Sequence, residues 1–172
     1  MADIPYIEGA GAHSYGDPLK IPWQGKVTIG KYCSIAPGVE LNMIGDHKID
    51  WITSYPFHNI ESWGSDVPLQ PLNRPSEIVI GNDVWLGYEC RIMHGVTIGD
   101  GAAIGAYAVV ARDVRPYAVM VGNPAREIRR RFSDEVVDFL LEVRWWDWPE
   151  EKVKENLPVL LSGDMEALRR IA

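Results

Sequence analysis

Residues 78–110 read IVIGNDVWLGYECRIMHGVTIGDGAAIGAYAVV, a stretch in which a bulky aliphatic side chain returns at every sixth position. A smaller or β-branched residue lies two positions before each of them. An α-helix repeats its apolar residues about every 3.6 positions and a strand every second position, so neither element alone explains the pattern. The fixed period predicts a coiled ribbon of very short strands. The bulky residues are Ile80, Leu86, Ile92, Ile98, Ile104 and Val110, and the smaller ones are Ile78, Val84, Cys90, Val96, Ala102 and Ala108.

The same register continues on the N-terminal side of this stretch. There the small positions are Val27, Cys33 and Val39, and the large ones are Ile29, Ile35 and Leu41. Glycine follows most of the bulky residues of the main repeat, at Gly81, Gly87, Gly99 and Gly105. These glycines suit tight corners, because a Cβ atom would crowd the turn. We therefore predict an all-β solenoid, with its first turns over residues 15–41 and its last over 78–114.

Two segments depart from the repeat. Between residues 42 and 77 the cycle is absent and prolines and aromatic residues are frequent, so we predict a long loop insertion, a feature that is usually functional. From Ser133, a plausible N-cap, an apolar stripe of helical spacing begins, and a second helix is expected after Trp148-Pro149. The chain is thus predicted to form a solenoid domain over residues 1–130 and a C-terminal helical extension over residues 131–172. The tryptophans at 145–148 are expected to pack this extension onto the solenoid or onto a neighbouring subunit.

Composition restricts the class of protein. The chain has 172 residues and a formal net charge of −7, which argues against a general nucleic-acid binder. It shows no apolar run of membrane-spanning length and no secretory signal, so we expect a soluble cytoplasmic protein. Cys33 and Cys90 lie at inward positions of the repeat, where we interpret them as compact apolar fillers. Six arginines between residues 112 and 131 are either a solvated helix face or a site for a small polyanion.

Several motifs together resemble those of a known family, the hexapeptide-repeat acyltransferases. They are the segments Ile80–Gly87, Met93–Gly101, Ile104–Ala106, Gly122–Arg126 and Trp145–Pro149. The stretch His47–Phe57 and the tryptophan-rich tail resemble more narrowly the xenobiotic acetyltransferase branch, which includes type B chloramphenicol and streptogramin acetyltransferases. The resemblance implies a left-handed parallel β-helix and a homotrimer with acetyl-CoA in the clefts between subunits. Its handedness opposes the usual rule for parallel crossovers and is taken from the family.

The implied activity is an acetyl-CoA-dependent transfer of an acetyl group to a hydroxyl of a small molecule, without a metal. Such a transfer needs a base for the hydroxyl proton, and imidazole is suited to this near neutral pH. By resemblance the base is His47. Asp50 or a neighbouring backbone carbonyl could orient its ring. Of the other histidines, His13 and His58 are expected to be solvated, and His94 is a turn position that could touch the coenzyme or a neighbour.

The resemblance also implies a path for acetyl-CoA. Trp85 would line the acyl and pantetheine region, and small corner residues would let the thin pantetheine arm approach the backbone. Arg112 and Arg129 would lie near phosphate. The implied cofactor-binding residues are Trp85, Gly87, Tyr88, Gly105, Ala106, Ala111, Arg112, Asn123, Pro124 and Arg129.

The identity of the acceptor is left open. A pocket for a hydroxylated molecule is expected from Tyr15, Trp51, Tyr55, Pro56 and Phe57, and an antibiotic, a sugar and a nucleotide sugar are equally credible acceptors. A non-catalytic solenoid scaffold or binding module is the main alternative, because fold alone does not decide function. A metalloenzyme like the γ-class carbonic anhydrases is a lesser one. It requires three histidines that converge on zinc, and the histidines of this chain lack that spacing.

Overall fold

A computed structural model describes residues 9–21, 25–43, 47–60, 62 and 77–172. Within them the chain forms twelve short strands followed by four α-helices. All strand pairs are parallel except the last, in which β11 runs antiparallel to β12. The strands are β1 Leu19–Ile21, β2 Lys26–Ile29, β3 Ser34–Ile35, β4 Glu40–Asn42, β5 Glu77–Ile80, β6 Trp85–Leu86, β7 Arg91–Met93, β8 Thr97–Ile98, β9 Ala103–Ile104, β10 Val109–Val110, β11 Ala118–Val121 and β12 Arg126–Arg130.

These strands belong to three sheets. Sheet I has the order β2-β5-β8, sheet II the order β12-β11-β9-β6-β3, and sheet III the order β1-β4-β7-β10. From β2 to β10 the chain visits sheets I, II and III in strict rotation, so each circuit of three strands stacks on the circuit before it. The short strands that the six-residue period predicts are confirmed, and so are the parallel sheets that the family resemblance implies. Three corners separate the sheets, and we name them by the sheets that they join: corner I–II, corner II–III and corner III–I.

The pairing register follows from the period. Ile80 pairs with Ile98 and Leu86 with Ile104, at a distance of 18 residues, which is three cycles of six. One circuit earlier, Ile29 pairs with Ile80 at a distance of 51 residues. The additional 33 residues all enter at corner III–I, between β4 and β5, and they leave the register of the sheets intact.

The core consists of the residues that the repeat predicts. All twelve bulky and small positions of the stretch 78–110 are at most 1% exposed. Cys33 and Cys90 are free thiols with no exposed surface, and burial raises the pKa of Cys90 to about 12. Their interpretation as buried fillers agrees with this environment, although Cys33 also donates a hydrogen bond to the Gly81 carbonyl at 3.0 Å.

The corners are too tight for a side chain at three of the four predicted glycines, Gly81, Gly87 and Gly99. A Cβ atom on Gly81 would lie 2.6 Å from Asp100 Oδ1, and one on Gly99 would lie 2.6 Å from the nitrogen of Pro116. Corner I–II also needs a left-handed backbone in every circuit. Gly101 supplies it once, but Tyr32, Asp83 and Tyr117 adopt φ angles of 57°, 54° and 58°.

The C-terminal extension is helical, as predicted. Its helices are α1 Asp134–Val143, α2 Glu150–Glu155, α3 Leu157–Leu160 and α4 Met165–Ile171. Ser133 caps α1 by accepting a hydrogen bond from the Val136 amide. The second predicted helix begins after Pro149 but divides into α2 and α3 at Asn156, where Pro158 follows. None of the described helices is long and apolar enough to span a bilayer.

The tryptophan cluster packs against the solenoid of its own chain. Trp146 is 1% exposed, and the Trp145 ring lies 4.8 Å from the ring of Tyr32 at corner I–II. A salt bridge of 2.9 Å between Lys31 and Asp147 joins the same two parts, and it holds the pKa of Asp147 below its usual range. The reading of the arginine-rich segment as a helix face is wrong, because residues 126–130 form strand β12.

Candidate active site

One row of residues crosses the outer face of sheet II. Trp85 pairs with Ser34 on one side and with Ala103 on the other, and Val119 pairs with Ala103 and with Arg129. Alternate residues of a strand face opposite sides, and the neighbours of these residues in β3, β6, β9 and β11 are buried, so this row faces outward. The smaller Ala103 and Val119 separate the large side chains of Trp85, which is 53% exposed, and Arg129.

Tyr15 extends the row by one position. It forms a parallel bridge with Ser34, and the Ser34 hydroxyl donates a hydrogen bond to the Tyr15 hydroxyl. Three of the predicted site residues, Tyr15, Trp85 and Arg129, therefore share one outward row, although the sequence assigns them to different substrates. Ser34, which lies between two of them, was not predicted. Ser34 precedes Ile35 as Trp85 precedes Leu86, so the two residues occupy equivalent positions of the six-residue cycle. This equivalence could have identified Ser34 from the sequence.

Corner II–III borders this row and carries four of the predicted cofactor residues. The Gly87 amide donates to the Ile104 carbonyl at 2.8 Å, and a Cβ atom on Gly87 would lie 2.7 Å from the Ala106 nitrogen. The segment Gly87–Tyr88 is thus stacked directly on Gly105–Ala106. Tyr88 and Tyr107 are exposed, with ring centroids 5.8 Å apart in an edge-on arrangement. The corner presents a floor of small residues beside two aromatic rings.

A basic cavity lies at the C-terminal end of the coil. It has a volume of about 370 Å³ and is lined by Arg112, Arg115 and Arg126 together with Asp113 and Glu127. The Arg115 guanidinium donates two hydrogen bonds to the Glu127 carboxylate, at 2.6 and 2.8 Å, and holds the pKa of that carboxyl below its usual range. Asn123 and Pro124 are exposed on the segment that joins β11 to β12.

His47 lies in the insertion, five residues after the end of β4. Its side chain is exposed, and its Nδ1 lies 2.7 Å from the Ser54 carbonyl oxygen. A carbonyl can only accept, so Nδ1 carries the hydrogen, and in the neutral imidazole the lone pair is on Nε2. The sequence leaves two groups open for orienting the ring, Asp50 and a neighbouring backbone carbonyl. The contact in the structure is to a backbone carbonyl, that of Ser54. Asp50 is exposed, and no hydrogen bond joins it to His47 within the described part of the loop.

The aromatic residues of the predicted acceptor pocket lie in the same loop. Trp51 and Tyr55 are exposed, and Pro56 and Phe57 are partly buried. The rings of Tyr55 and Phe57 lie 4.8 Å apart. Four of the five predicted acceptor residues therefore accompany His47, whereas Tyr15 lies on sheet II.

The structure divides the predicted site residues into two groups. The loop group begins at corner III–I, where Ala111 and Arg112 also follow the end of β10. The sheet group occupies the outer row of sheet II and corner II–III. The contacts of His47 with Ser54 and of the Tyr55 ring with the Phe57 ring both lie within the loop. His94 belongs to neither group. It is only 1% exposed, so its side chain does not reach the surface of the chain, where the coenzyme or a neighbouring subunit would touch it.

The described residues contain no cluster of three or more histidine, cysteine or carboxylate side chains that could hold a metal ion. At corner I–II, Asp83 faces the Arg131 guanidinium at 3.0 Å. Burial raises the pKa of Asp83, and Arg131 opposes this shift. This pair fastens the start of the C-terminal extension to the coil.

Comparisons with known proteins agree with this architecture. Residues 77–112 match the family model of the bacterial transferase hexapeptide (six repeats). A chloramphenicol acetyltransferase from Escherichia coli is 44% identical over 148 residues, which are 84% of this chain and 70% of the relative. A virginiamycin A acetyltransferase from Staphylococcus aureus is 40% identical over 99% of this chain and 80% of its own length. A hexapeptide-repeat acetyltransferase from Vibrio cholerae, solved with acetyl coenzyme A, has a TM-score of 0.54 and 27% identity over 72% of this chain and 60% of its own.

Proposed function

The chain belongs to the hexapeptide-repeat acetyltransferases, in the branch of the chloramphenicol and virginiamycin enzymes, and from this premise we propose that it acetylates a hydroxyl of an antibiotic-like small molecule, with His47 as general base. It is an acetyltransferase that uses acetyl-CoA as the acyl donor. The observation that carries the proposed acceptor class is the 44% identity with a chloramphenicol acetyltransferase over 70% of that relative.

In this proposal the coil is left-handed and three copies of the chain form a trimer. The division of the site residues supports the trimer, because the loop group and the sheet group start at different corners of one coil. A neighbouring copy would bring its corner III–I against sheet II and so complete each site. Ile49 and Ile52 of the loop are 88% and 109% exposed, and such apolar side chains next to Trp51 are typical of a surface that a partner covers.

The proposed chemistry depends on the tautomer of His47. With its Nδ1 hydrogen directed at the Ser54 carbonyl, the imidazole offers the Nε2 lone pair to the acceptor. His47 takes the hydroxyl proton as the acceptor oxygen attacks, and it then returns the proton to the departing sulfur. General base catalysis of this kind contributes about 10²- to 10⁴-fold. The backbone carbonyl fixes the ring without adding a negative charge to the site, as a carboxylate would. In this proposal the Ser54 carbonyl, and not Asp50, orients the imidazole ring.

Acetyl-CoA supplies the acetyl group as an activated thioester. The residues of the sheet group suit this donor, because Ala103 and the stacked segments Gly87–Tyr88 and Gly105–Ala106 leave room for a thin chain beside the Trp85 ring. Cationic side chains suit its phosphates at the far end of the groove. Arg129 lies at the end of the row, and Arg112 lines the basic cavity beyond it. Ala111, Asn123 and Pro124 complete the proposed path at the same end.

The acceptor would lie between the loop aromatics of one copy and Tyr15 of the next. Trp51, Tyr55, Pro56 and Phe57 offer an apolar wall, which favours a largely apolar acceptor over a free sugar. We further propose a cytoplasmic location, because the donor is a metabolite of the cytoplasm.

A screen for release of the coenzyme A thiol tests the proposal. The wild-type chain is supplied with acetyl-CoA and with chloramphenicol, virginiamycin A, simple sugars or nucleotide sugars. We expect turnover with an antibiotic and a loss of about 10²- to 10⁴-fold in His47→Ala. The matched control is His13→Ala, an exposed imidazole outside both groups, which should retain wild-type turnover. Unchanged turnover in His47→Ala would exclude the base, and release only with sugars would exclude the acceptor class.

A mixing experiment tests the shared site. His47→Ala and Trp85→Ala are each expected to be nearly inactive alone. When they are unfolded, mixed in equal amounts and refolded together, about one quarter of the wild-type rate should return, because a quarter of the sites in randomly mixed closed rings take an intact residue from each neighbour. No recovery would contradict a site built from two subunits.

A further inference from the structure

Ser34 occupies the position between two site residues of different kinds. Its strand β3 pairs with β6 at Trp85, and on its other side Tyr15 forms a bridge to it. Adjacent strands lie about 4.8 Å apart, so Tyr15 and Trp85 are separated by roughly two strand spacings with Ser34 at the midpoint. Trp85 belongs to the proposed donor groove and Tyr15 to the proposed acceptor pocket. Ser34 therefore lies where the two substrates would meet.

The phenol of Tyr15 reaches across to this midpoint. Its hydroxyl accepts a hydrogen bond from the Ser34 hydroxyl, although Tyr15 itself stands one strand away. The aromatic ring thus leans over β3 in the direction of Trp85. Both residues are partly buried, so the bond is shielded from water on the side of the sheet.

Ser34 itself is held rigidly. Its amide donates to the Val84 carbonyl at 2.9 Å, and the Ile35 amide donates to the Tyr15 carbonyl at 3.0 Å. The following residue, Ile35, is buried in the core and 2% exposed. A hydroxyl on such a strand has little freedom to move, and side chains on rigid elements hold a reactive geometry better than those on loops.

A hydroxyl can donate one hydrogen bond and accept others. The bond between Ser34 and Tyr15 therefore fixes the phenol oxygen and leaves part of its hydrogen-bonding capacity for a ligand. Both residues belong to the outward row of sheet II, where the acceptor substrate is proposed to bind.

We propose that Ser34 is a positioning residue that holds the Tyr15 hydroxyl in place for a hydrogen bond with the acceptor substrate. This inference rests on the proposed function and deepens it. It assigns to the site a preference for acceptors that carry an oxygen, such as a carbonyl or a second hydroxyl, near the hydroxyl that receives the acetyl group. In this role Ser34 acts through Tyr15 and not through a contact of its own with either substrate.

Steady-state kinetics with chloramphenicol as the probe test this role. Loss of one hydrogen bond corresponds to about a three- to tenfold effect, so Ser34→Ala should raise the KM for chloramphenicol by that factor. The KM for acetyl-CoA should stay within about twofold, because a residue that acts through Tyr15 does not touch the donor. Ser34→Thr, which keeps the hydroxyl, should restore the wild-type value. Thr97→Ala, which removes an exposed hydroxyl from sheet I, is the matched control and should change neither constant.

A double-mutant cycle isolates the route of action. If Ser34 works through the phenol hydroxyl, Tyr15→Phe with Ser34→Ala should be no worse than Tyr15→Phe alone. Additive losses in the double variant would overturn the proposal. So would a neutral Ser34→Ala, or a larger rise in the KM for acetyl-CoA than in that for chloramphenicol.

An acceptor-independent measurement separates this inference from the proposed function. If the wild-type chain acetylates no acceptor in the screen, the proposed function has failed, and the kinetic comparison does not apply. NMR of ring-labelled tyrosine then decides the orienting role. We expect one sharp Tyr15 ring signal in the wild type and in Ser34→Thr, and a shifted or broadened one in Ser34→Ala. An unchanged Tyr15 signal in Ser34→Ala would overturn the proposal.

Discussion

The substitution Gly81→Ala tests whether the corners of the coil are as close as the structure has them. The added Cβ atom would lie 2.6 Å from Asp100 Oδ1, 2.8 Å from the Asp100 nitrogen and 3.1 Å from its Cα. Two of these three atoms are backbone, so the contact cannot be relieved by rotating a flexible side chain. The neighbouring circuit of the coil must shift.

The magnitude has two parts. Overpacking in a tightly packed interior costs about 1–3 kcal/mol. Asp100 Oδ1 also accepts hydrogen bonds from the Asn82 amide and side chain, at 2.6 and 2.8 Å, and moving it weakens both bonds, at about 0.5–1.5 kcal/mol each. We expect a total loss of about 2–6 kcal/mol in the free energy of unfolding. For a chain of this size this corresponds to a fall in Tm of about 4–24 °C.

Thermal and urea denaturation followed by circular dichroism measure this loss at fixed protein concentration, since assembly also stabilises the fold. Gly163→Ala is the matched control, because no atom lies within 4 Å of its added Cβ and the glycine is on the surface. It should be neutral or stabilise the protein by up to about 1 kcal/mol. If Gly81→Ala has the same Tm and the same urea midpoint as Gly163→Ala, the close stacking of the corners is incorrect.

Three further results are expected. Arg129→Ala should raise the KM for acetyl-CoA more than that for the acceptor, and an equal or reversed effect in steady-state kinetics would remove Arg129 from the donor groove. A thiol reagent at pH 8 should leave Cys33 and Cys90 unlabelled in the native protein and label both in urea, because both are buried and burial raises the pKa values of both thiols; rapid native labelling would contradict the packed core. Arg115 lowers the pKa of Glu127 in the folded protein below its value in the unfolded chain. The stability that this pair contributes is therefore fully present above the pKa of the unfolded chain, and it is lost as the pH falls through the pKa of the folded protein. The difference in Tm between wild type and Arg115→Ala should therefore shrink from pH 7 to pH 3, and a constant difference would exclude this linkage.

The sequence predicts the sheets well because one physical constraint acts in every circuit. Residues that stack at a distance of 18 must fit the same narrow interior, so the period appears in residue type as well as in position. The corner conformations are a different case. Tyr32, Asp83 and Tyr117 adopt left-handed backbone angles that favour glycine, and the packing of neighbouring circuits imposes these angles against local preference. Local sequence therefore carries no signal for the two tyrosines, whereas aspartate is among the residues that adopt this conformation more often.

The sequence predicts which residues belong to the candidate site, but it does not predict their division into a loop group and a sheet group. Trp85 and Ser34 have the same phase in the cycle, which would have placed them in one row. The separation of His47 from that row depends on the corner at which the insertion leaves the coil, and this becomes evident only when the strands are assigned to sheets. The break between α2 and α3 follows from Pro158. Helix α4 lies within the predicted helical extension but was not predicted as a separate helix.

The 33 extra residues at corner III–I have an evolutionary consequence. Since they leave the pairing of β4 with β7 and of β2 with β5 unchanged, the segment between residues 43 and 76 can lengthen, shorten or be exchanged while the stacked framework is inherited unaltered. Selection for a new acceptor substrate can then change this one insertion without changing the stacked sheets. Grafting that insertion from one relative onto another is accordingly the most direct way to redirect such a protein.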